Sequence, residues 1–273
     1  MKVIKAKNYG FCYGVKKAVD TALLQEEGTC ILGPLVHNGQ IMDLLKKKKI
    51  NVIDNIDDAD HSKKILIRAH GEPNHIHAKA KEKGLQIIDC TCPNVKKIQD
   101  LALKLERDGE KVIIFGEQNH PEVKSITQNL INSSYVIRNK DQIKEVENIG
   151  KVSLLSQTTM EEDEFNKIAL LLKSKNKEVS IYNTICDATK LRQTSAVEVA
   201  RTVDMMIVIG GLISSNTRRL ANVCSKIIET KHIETAKEID DSWFAGKKTV
   251  GVTAGASTPD FIIEKVIEKI EKI

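Results

Sequence analysis

Three of the six cysteines in this 273-residue chain share one local setting. Cys12 opens Cys-Tyr-Gly-Val-Lys-Lys-Ala, Cys92 opens Cys-Pro-Asn-Val-Lys-Lys-Ile, and Cys186 opens Cys-Asp-Ala-Thr-Lys-Leu-Arg. Each follows an apolar, strand-like run and begins a helix-like one, with a lysine four residues on: Lys16, Lys96 and Lys190. A helix N-terminus and a nearby cation both favour the thiolate form. Three thiolates can hold zinc with an open fourth position, or a 4Fe-4S cluster with one iron lacking a protein thiolate. A cluster that only transfers electrons usually has four protein ligands, whereas a free metal position can bind and polarise a substrate oxygen. No close Cys-x-x-Cys pair occurs, so zinc ribbons and ferredoxin-type runs are not supported. The competing reading is three buried structural thiols. Cys30 and Cys224 suit that reading, since one starts an apolar strand and the other lies on an apolar helix face. Cys90 is two residues before Cys92, and in an extended segment their thiols would sit about 7 Å apart along the strand.

The histidines and hydroxyls divide in the same way. His37, His70 and His120 each follow a strand-like run, beside Asn38, Gly71 and Pro121. Such positions suit hydrogen bonds to an anionic ligand, although any one alone also fits a satisfied turn histidine. His61, His75, His77 and His232 fall in polar stretches, read as exposed and without a role. Glu122 begins a helix, where it can complement the helix dipole or serve as a proton donor in a dry pocket. Ser214-Ser215-Asn216 and Ser257-Thr258-Pro259 read as helix N-caps. The same amides and hydroxyls form an anion site when turned on a phosphate. Neither a Gly-x-x-x-x-Gly-Lys-Ser/Thr loop nor a Gly-x-Gly-x-x-Gly turn is present, so nucleotide and dinucleotide sites are not supported.

These residues need a frame that repeats. Short β-branched runs alternate with longer amphipathic ones from end to end, which predicts an α/β fold of repeated β-α units with parallel sheets. Strands are expected at Cys30–Gly33, Ile65–Ala69, Gln86–Asp89, Lys111–Gly116, Val152–Ser156, Val179–Tyr182, Met205–Gly210 and Thr249–Thr253. Helices are expected at Val15–Glu26, Val95–Arg107, Glu161–Lys173, Lys190–Thr202 and Pro259–Lys272. The cysteines lie 80 and 94 residues apart, which divides the chain into similar legs at 13–92, 93–186 and 187–273. The first two legs end in a strand that leads into the next cysteine; the third has none after its last helix. The N-terminal segment Val3–Lys7, within 1–12, is expected to supply it and close a ring of pseudo-threefold symmetry around one central site. Each leg also carries two polar loops after strands, where open parallel sheets bind ligands.

Composition sets outer limits. Apolar residues at 41% and charged residues at 29% are ordinary for a globular protein. The net charge of +5 is small, and aromatics at 4% argue against base-stacking nucleic-acid platforms. Lys46 to Lys49 reads as the solvated end of a helix. No run approaches the about 18 apolar residues of a membrane span, and Met-Lys-Val-Ile-Lys-Ala-Lys lacks a signal-peptide apolar region. A cytoplasmic protein with reduced thiols and neither nucleic-acid nor membrane partners is expected.

Read together, the motifs resemble the 4-hydroxy-3-methylbut-2-enyl diphosphate reductase family. The residues that carry the resemblance are Gly10-Phe11-Cys12-Tyr13-Gly14-Val15, Val36-His37-Asn38, Ala69-His70-Gly71, Thr91-Cys92-Pro93 and His120-Pro121-Glu122-Val123. Gln157-Thr158-Thr159, Thr184-Ile185-Cys186, Ser214-Ser215-Asn216 with Arg219-Leu220, and Thr253-Ala254-Gly255-Ala256-Ser257-Thr258-Pro259 complete it, in order along almost the whole chain. The resemblance implies reductive dehydroxylation of an allylic alcohol diphosphate to isopentenyl and dimethylallyl diphosphates, the last step of the non-mevalonate isoprenoid route. It implies a 4Fe-4S cluster on Cys12, Cys92 and Cys186, with one iron lacking a protein thiolate. It implies substrate contacts at His37, His70, His120, Thr158, Ser214, Ser215, Asn216 and Ser257, a proton donor at Glu122, and ferredoxin or flavodoxin as electron donor. Two departures stand out: Cys90 occupies a place where the family often has alanine, and Val-Lys-Ser-Ile-Thr-Gln follows Glu122 where glycines are common. A hydro-lyase that uses an open iron without net redox, and a zinc-stabilised binding module, are the alternatives.

Overall fold

The computed structural model describes residues 1–36, 38–59, 62–132 and 134–273. From the N-terminus, β1 (Lys2–Lys5) leads through Cys12 into α1 (Tyr13–Leu23), β2 (Thr29–Leu32), α2 (Gly39–Lys47), β3 (Asn51–Ile53), β4 (Lys64–Ile67), α3 (Asn74–Glu82) and β5 (Gln86–Asp89). Cys92 then opens α4 (Pro93–Arg107), followed by β6 (Lys111–Phe115), α5 (Pro121–Thr127), β7 (Tyr135–Ile137), β8 (Lys151–Ser156), α6 (Glu162–Lys175) and β9 (Glu178–Ile181). Cys186 opens α7 (Asp187–Ala200), and the chain ends with β10 (Met205–Ile209), α8 (Ser215–Ser225), β11 (Thr230–Ile233), β12 (Thr249–Ala254) and α9 (Asp260–Glu271). The expected strands and helices are all present, with ends displaced by at most three residues.

The strands form three parallel four-stranded sheets, ordered β3-β2-β4-β5, β7-β6-β8-β9 and β11-β10-β12-β1. The order is the same each time, and β1 fills in the third sheet the place that β5 and β9 fill in the others. It pairs parallel to β12, with Lys2 opposite Thr249 and Lys5 opposite Val252. The chain divides into two compact units: 1–16, 36–44 and 187–273 contain the third sheet, and 17–35 with 45–186 contain the first two.

Period-2 alternation explains how each sheet is covered on both faces. In β10, Met205, Ile207 and Ile209 pack with Ile262, Ile263, Val266 and Ile270 of α9. Met206 and Val208 point the other way, onto Ala196 and Ala200 of α7 and Leu220 and Cys224 of α8. In β6, Ile113 and Phe115 face Phe165, Ile168 and Leu172 of α6, while Val112 and Ile114 face Ile98, Ala102 and Leu105 of α4. Central strands buried on both faces leave their carboxyl ends, and the loops beyond them, to carry the polar residues. No helix among the described residues is long and apolar enough to cross a membrane.

Candidate functional site

Each singled-out cysteine occupies the same point of its sheet. It follows the edge strand (β1, β5 or β9) and immediately precedes the first residue of α1, α4 or α7. Its amide donates to a carbonyl in the loop after the neighbouring strand: Cys12 to Ala256 at 3.3 Å, Cys92 to Ala69 at 3.0 Å, and Cys186 to Thr158 at 3.1 Å. The position opposite each thiol-bearing turn is thus held by its own sheet, three times over. Cys12, Cys92 and Cys186 are partly exposed, whereas Cys30, Cys90 and Cys224 are buried. Burial pushes the thiols of Cys30 and Cys90 up, and that of Cys224 to about 12. Inert core thiols and accessible ones therefore separate along the line drawn from sequence. Among the described residues, no group of three His, Cys, Asp or Glu side chains lies ready to hold a metal ion. The donor chemistry fits a thiolate-bound group nonetheless, because three equivalent, accessible thiols stand at helix N-termini, where negative charge is favoured.

In the unit that contains the first two sheets, the loops after β4, β6 and β8 build one polar cluster. Glu122, on the first turn of α5, is 2% exposed. One of its carboxylate oxygens accepts from the Thr158 amide at 2.6 Å and the other from the Thr158 hydroxyl at 2.6 Å. His120 caps the same helix, its Nδ1 accepting from the Glu122 amide at 3.2 Å. Pro121 at the first helical position has no N–H to satisfy, so the imidazole serves the second. The rings of His120 and His70 meet edge to face, with centroids 5.2 Å apart. Thr184 ties the segment before Cys186 to the end of β8: its hydroxyl accepts from the Ser156 amide at 2.7 Å and donates to the Ser156 carbonyl at 2.6 Å. His37 lies outside the described residues.

In the other unit the loops after β10 and β12 build a different surface. Ser214 caps α8, its hydroxyl accepting from the Thr217 amide at 3.4 Å. Arg219, one turn along, donates to the Ser215 hydroxyl. Asn216 Nδ2 and Ser257 Oγ are buried and have no hydrogen-bond partner among the described residues. The loop backbones approach closely: a Cβ on Gly255 would fall on the Thr217 hydroxyl, and one on Gly210 (φ +142°) would stand 2.5 Å from Thr258 Oγ1. The expectation that Ser257-Thr258-Pro259 caps a helix is not met. Pro259 itself precedes α9 with no side-chain cap, and Thr258 Oγ1 instead donates to the Ile209 carbonyl at 3.0 Å. That leaves Ser257 uncommitted. His232 also departs from its reading as exposed. It lies half-buried on β11 with Nε2 2.9 Å from the Gly210 carbonyl, and burial holds its pKa below the usual value.

Sequence reasoning missed two side chains that the cluster uses, Ser125 and Gln99. Neither stands at a strand end or in a motif of its own, and only the packing of α4 against α5 brings them to the His70 loop.

The description of the family model that matches residues 3–271 is "LytB protein". A 4-hydroxy-3-methylbut-2-enyl diphosphate reductase of Trichlorobacter lovleyi is 42% identical, with 100% of this chain and 99% of that protein covered. The protein of the same name in Nitratiruptor is 40% identical, with 100% and 99% covered. A solved (E)-4-hydroxy-3-methyl-but-2-enyl diphosphate reductase, described as the terminal enzyme of the non-mevalonate pathway, superimposes with a TM-score of 0.72 at 38% identity over all of both chains. The Plasmodium falciparum E-1-hydroxy-2-methyl-but-2-enyl-4-diphosphate reductase gives 0.93 at 25% identity, covering 98% of this chain and 87% of the other.

Proposed function

We propose that this chain, which belongs to the LytB family, is a 4-hydroxy-3-methylbut-2-enyl diphosphate reductase. It removes the allylic hydroxyl of its substrate reductively and forms isopentenyl and dimethylallyl diphosphates. Two electrons and two protons enter, and the hydroxyl leaves as water. The observation that carries this reading is the end-to-end match to reductases of that name at 42% identity.

Cys12, Cys92 and Cys186, one from each α/β unit (187–273 completed by strand 1–12, 13–92, and 93–186), would hold a 4Fe-4S cluster with one iron free of protein thiolate. Bound there, that cluster supplies the electrons and a Lewis acid for the substrate hydroxyl. The chain's own residues supply the rest. The diphosphate is bound by Ser214, Ser215, Asn216 and Ser257, where a helix N-terminus and buried donors suit an anion, and by His37, His70 and His120. Glu122 is the proton donor: once protonated, it would donate across the 2.6 Å contact to the Thr158 hydroxyl oxygen, which in turn donates toward the substrate. One proton completes the leaving water; a second reaches either end of the allylic system, which accounts for two products. A ferredoxin or flavodoxin delivers the electrons.

The test is anaerobic purification followed by iron and sulfide counts, an absorption spectrum, and turnover with and without reductant. Iron with sulfide and reductant-dependent turnover is the expected result. Zinc without sulfide would indicate a binding module, and turnover without reductant a hydro-lyase. Cys186→Ser is expected to lose the cluster colour and all turnover; an intact spectrum would remove Cys186 from the ligand set.

A further inference from the structure

We infer that Ser125, held by Gln99, is the positioning residue that fixes the His70 loop against the helix carrying His120 and Glu122, and so sets the affinity for the diphosphate. This rests on the reductase reading. Ser125 is wholly buried on α5. Its hydroxyl lies 2.9 Å from the His70 carbonyl and 2.8 Å from that of Glu122, and shares its proton between them. Its remaining acceptor capacity takes Gln99 Nε2 at 3.1 Å. Three partners on one oxygen lock its rotamer, so the distance from the His70 backbone to the Glu122 backbone is set by a single atom.

The loop is shaped to lie on this pair. Gly71 has φ +73°, and a Cβ there would stand 2.8 Å from Gln99 Nε2 and 3.4 Å from Ser125 Oγ. The other side of the loop is bound to its own sheet, where the Cys92 amide donates to Ala69. Ser125 therefore joins the first sheet's histidine to the second sheet's histidine, which it meets ring to ring. Gln99 extends the link to α4, the helix that Cys92 opens. The Glu122–Thr158 contact does not pass through Ser125. Loss of the clamp should consequently weaken substrate binding without slowing proton delivery.

Steady-state kinetics of the cluster-loaded enzyme test this with Ser125→Ala, Gln99→Met and the double variant. A buried hydrogen bond of ordinary strength corresponds to about a three- to tenfold rise in KM, with kcat within about twofold of wild type. The double variant should be no worse than the poorer single one, because both remove the same clamp. Should Ser125→Ala fail to fold, Gln99→Met carries the comparison alone. Unchanged KM in the variants, or a fall in kcat at constant KM, overturns the inference while leaving the reductase assignment intact. A wild-type protein without reductase turnover overturns both.

Discussion

The two units of the molecule build their polar clusters on opposite principles. Around Glu122 the hydrogen bonds run between neighbouring groups: the carboxylate takes two donors from Thr158, His120 takes the Glu122 amide, and Ser125 binds two carbonyls and receives Gln99. Around α8 and the loop after β12, Asn216 Nδ2 and Ser257 Oγ are buried and unmatched among the described residues, and so are Thr217 Oγ1 and Thr253 Oγ1. A buried polar group without a partner costs about 1–3 kcal/mol, and in that half the fold bears it at several atoms. On the proposed function the difference separates two tasks: Glu122 would deliver a proton from a hydrogen-bonded cluster, and the serine-asparagine cradle would be completed by the acceptor oxygens of a diphosphate.

The contrast breaks most sharply at Glu122. Glu122→Gln keeps the shape but removes the transferable proton, so kcat should fall about 10²- to 10⁴-fold while KM and cluster content stay near wild type. Single-turnover kinetics on the reduced enzyme check this, and full activity would end the proton-donor role. Next in size is Gly255→Ala in the other half. Its methyl would fall on the Thr217 hydroxyl, so overpacking should cost about 1–3 kcal/mol of stability and raise KM through the displaced Ser257. Denaturant midpoints and kinetics on one preparation measure both. The smallest effect sharpens the comparison best. Ser257→Ala removes an unmatched hydroxyl and should raise KM by about three- to tenfold with stability equal to wild type or slightly above it. Thr158→Val, by contrast, strips a donor from a buried carboxylate and should lower stability by about 1–3 kcal/mol. If the two substitutions shift the denaturant midpoint alike, the halves are not different in kind.

Much of this was legible along the chain. β4, β6 and β10 announce themselves as short apolar runs, since a strand buried on both faces is largely apolar. The place of β1 followed from counting: two legs had a last strand, the third lacked one, and an unassigned strand preceded Cys12. Partly exposed and buried thiols also separated along that line: Cys12, Cys92 and Cys186 precede helices, while Cys30 and Cys224 lie on apolar strand and helix faces. What the chain did not disclose were contacts between elements distant in sequence. Ser125 looks like any helix serine until α4 and α5 pack, and it reaches His70 across 55 residues. Ser257 looked like a cap because Ser-Thr-Pro before an acidic, apolar run is what caps look like. The close approach of the β10 and β12 loops sent Thr258 to the Ile209 carbonyl and left Ser257 facing no partner.

The sequence by itself determined what repeats: strand positions, helix starts, and a thiol at the same joint of each leg, because all three follow from local periodicity and from what a helix N-terminus prefers. Tertiary structure alone decided which polar atoms are matched and which are left waiting. That depends on sub-ångström differences in how loops meet, and residues such as Gly71 and Gly255 permit those approaches without specifying them.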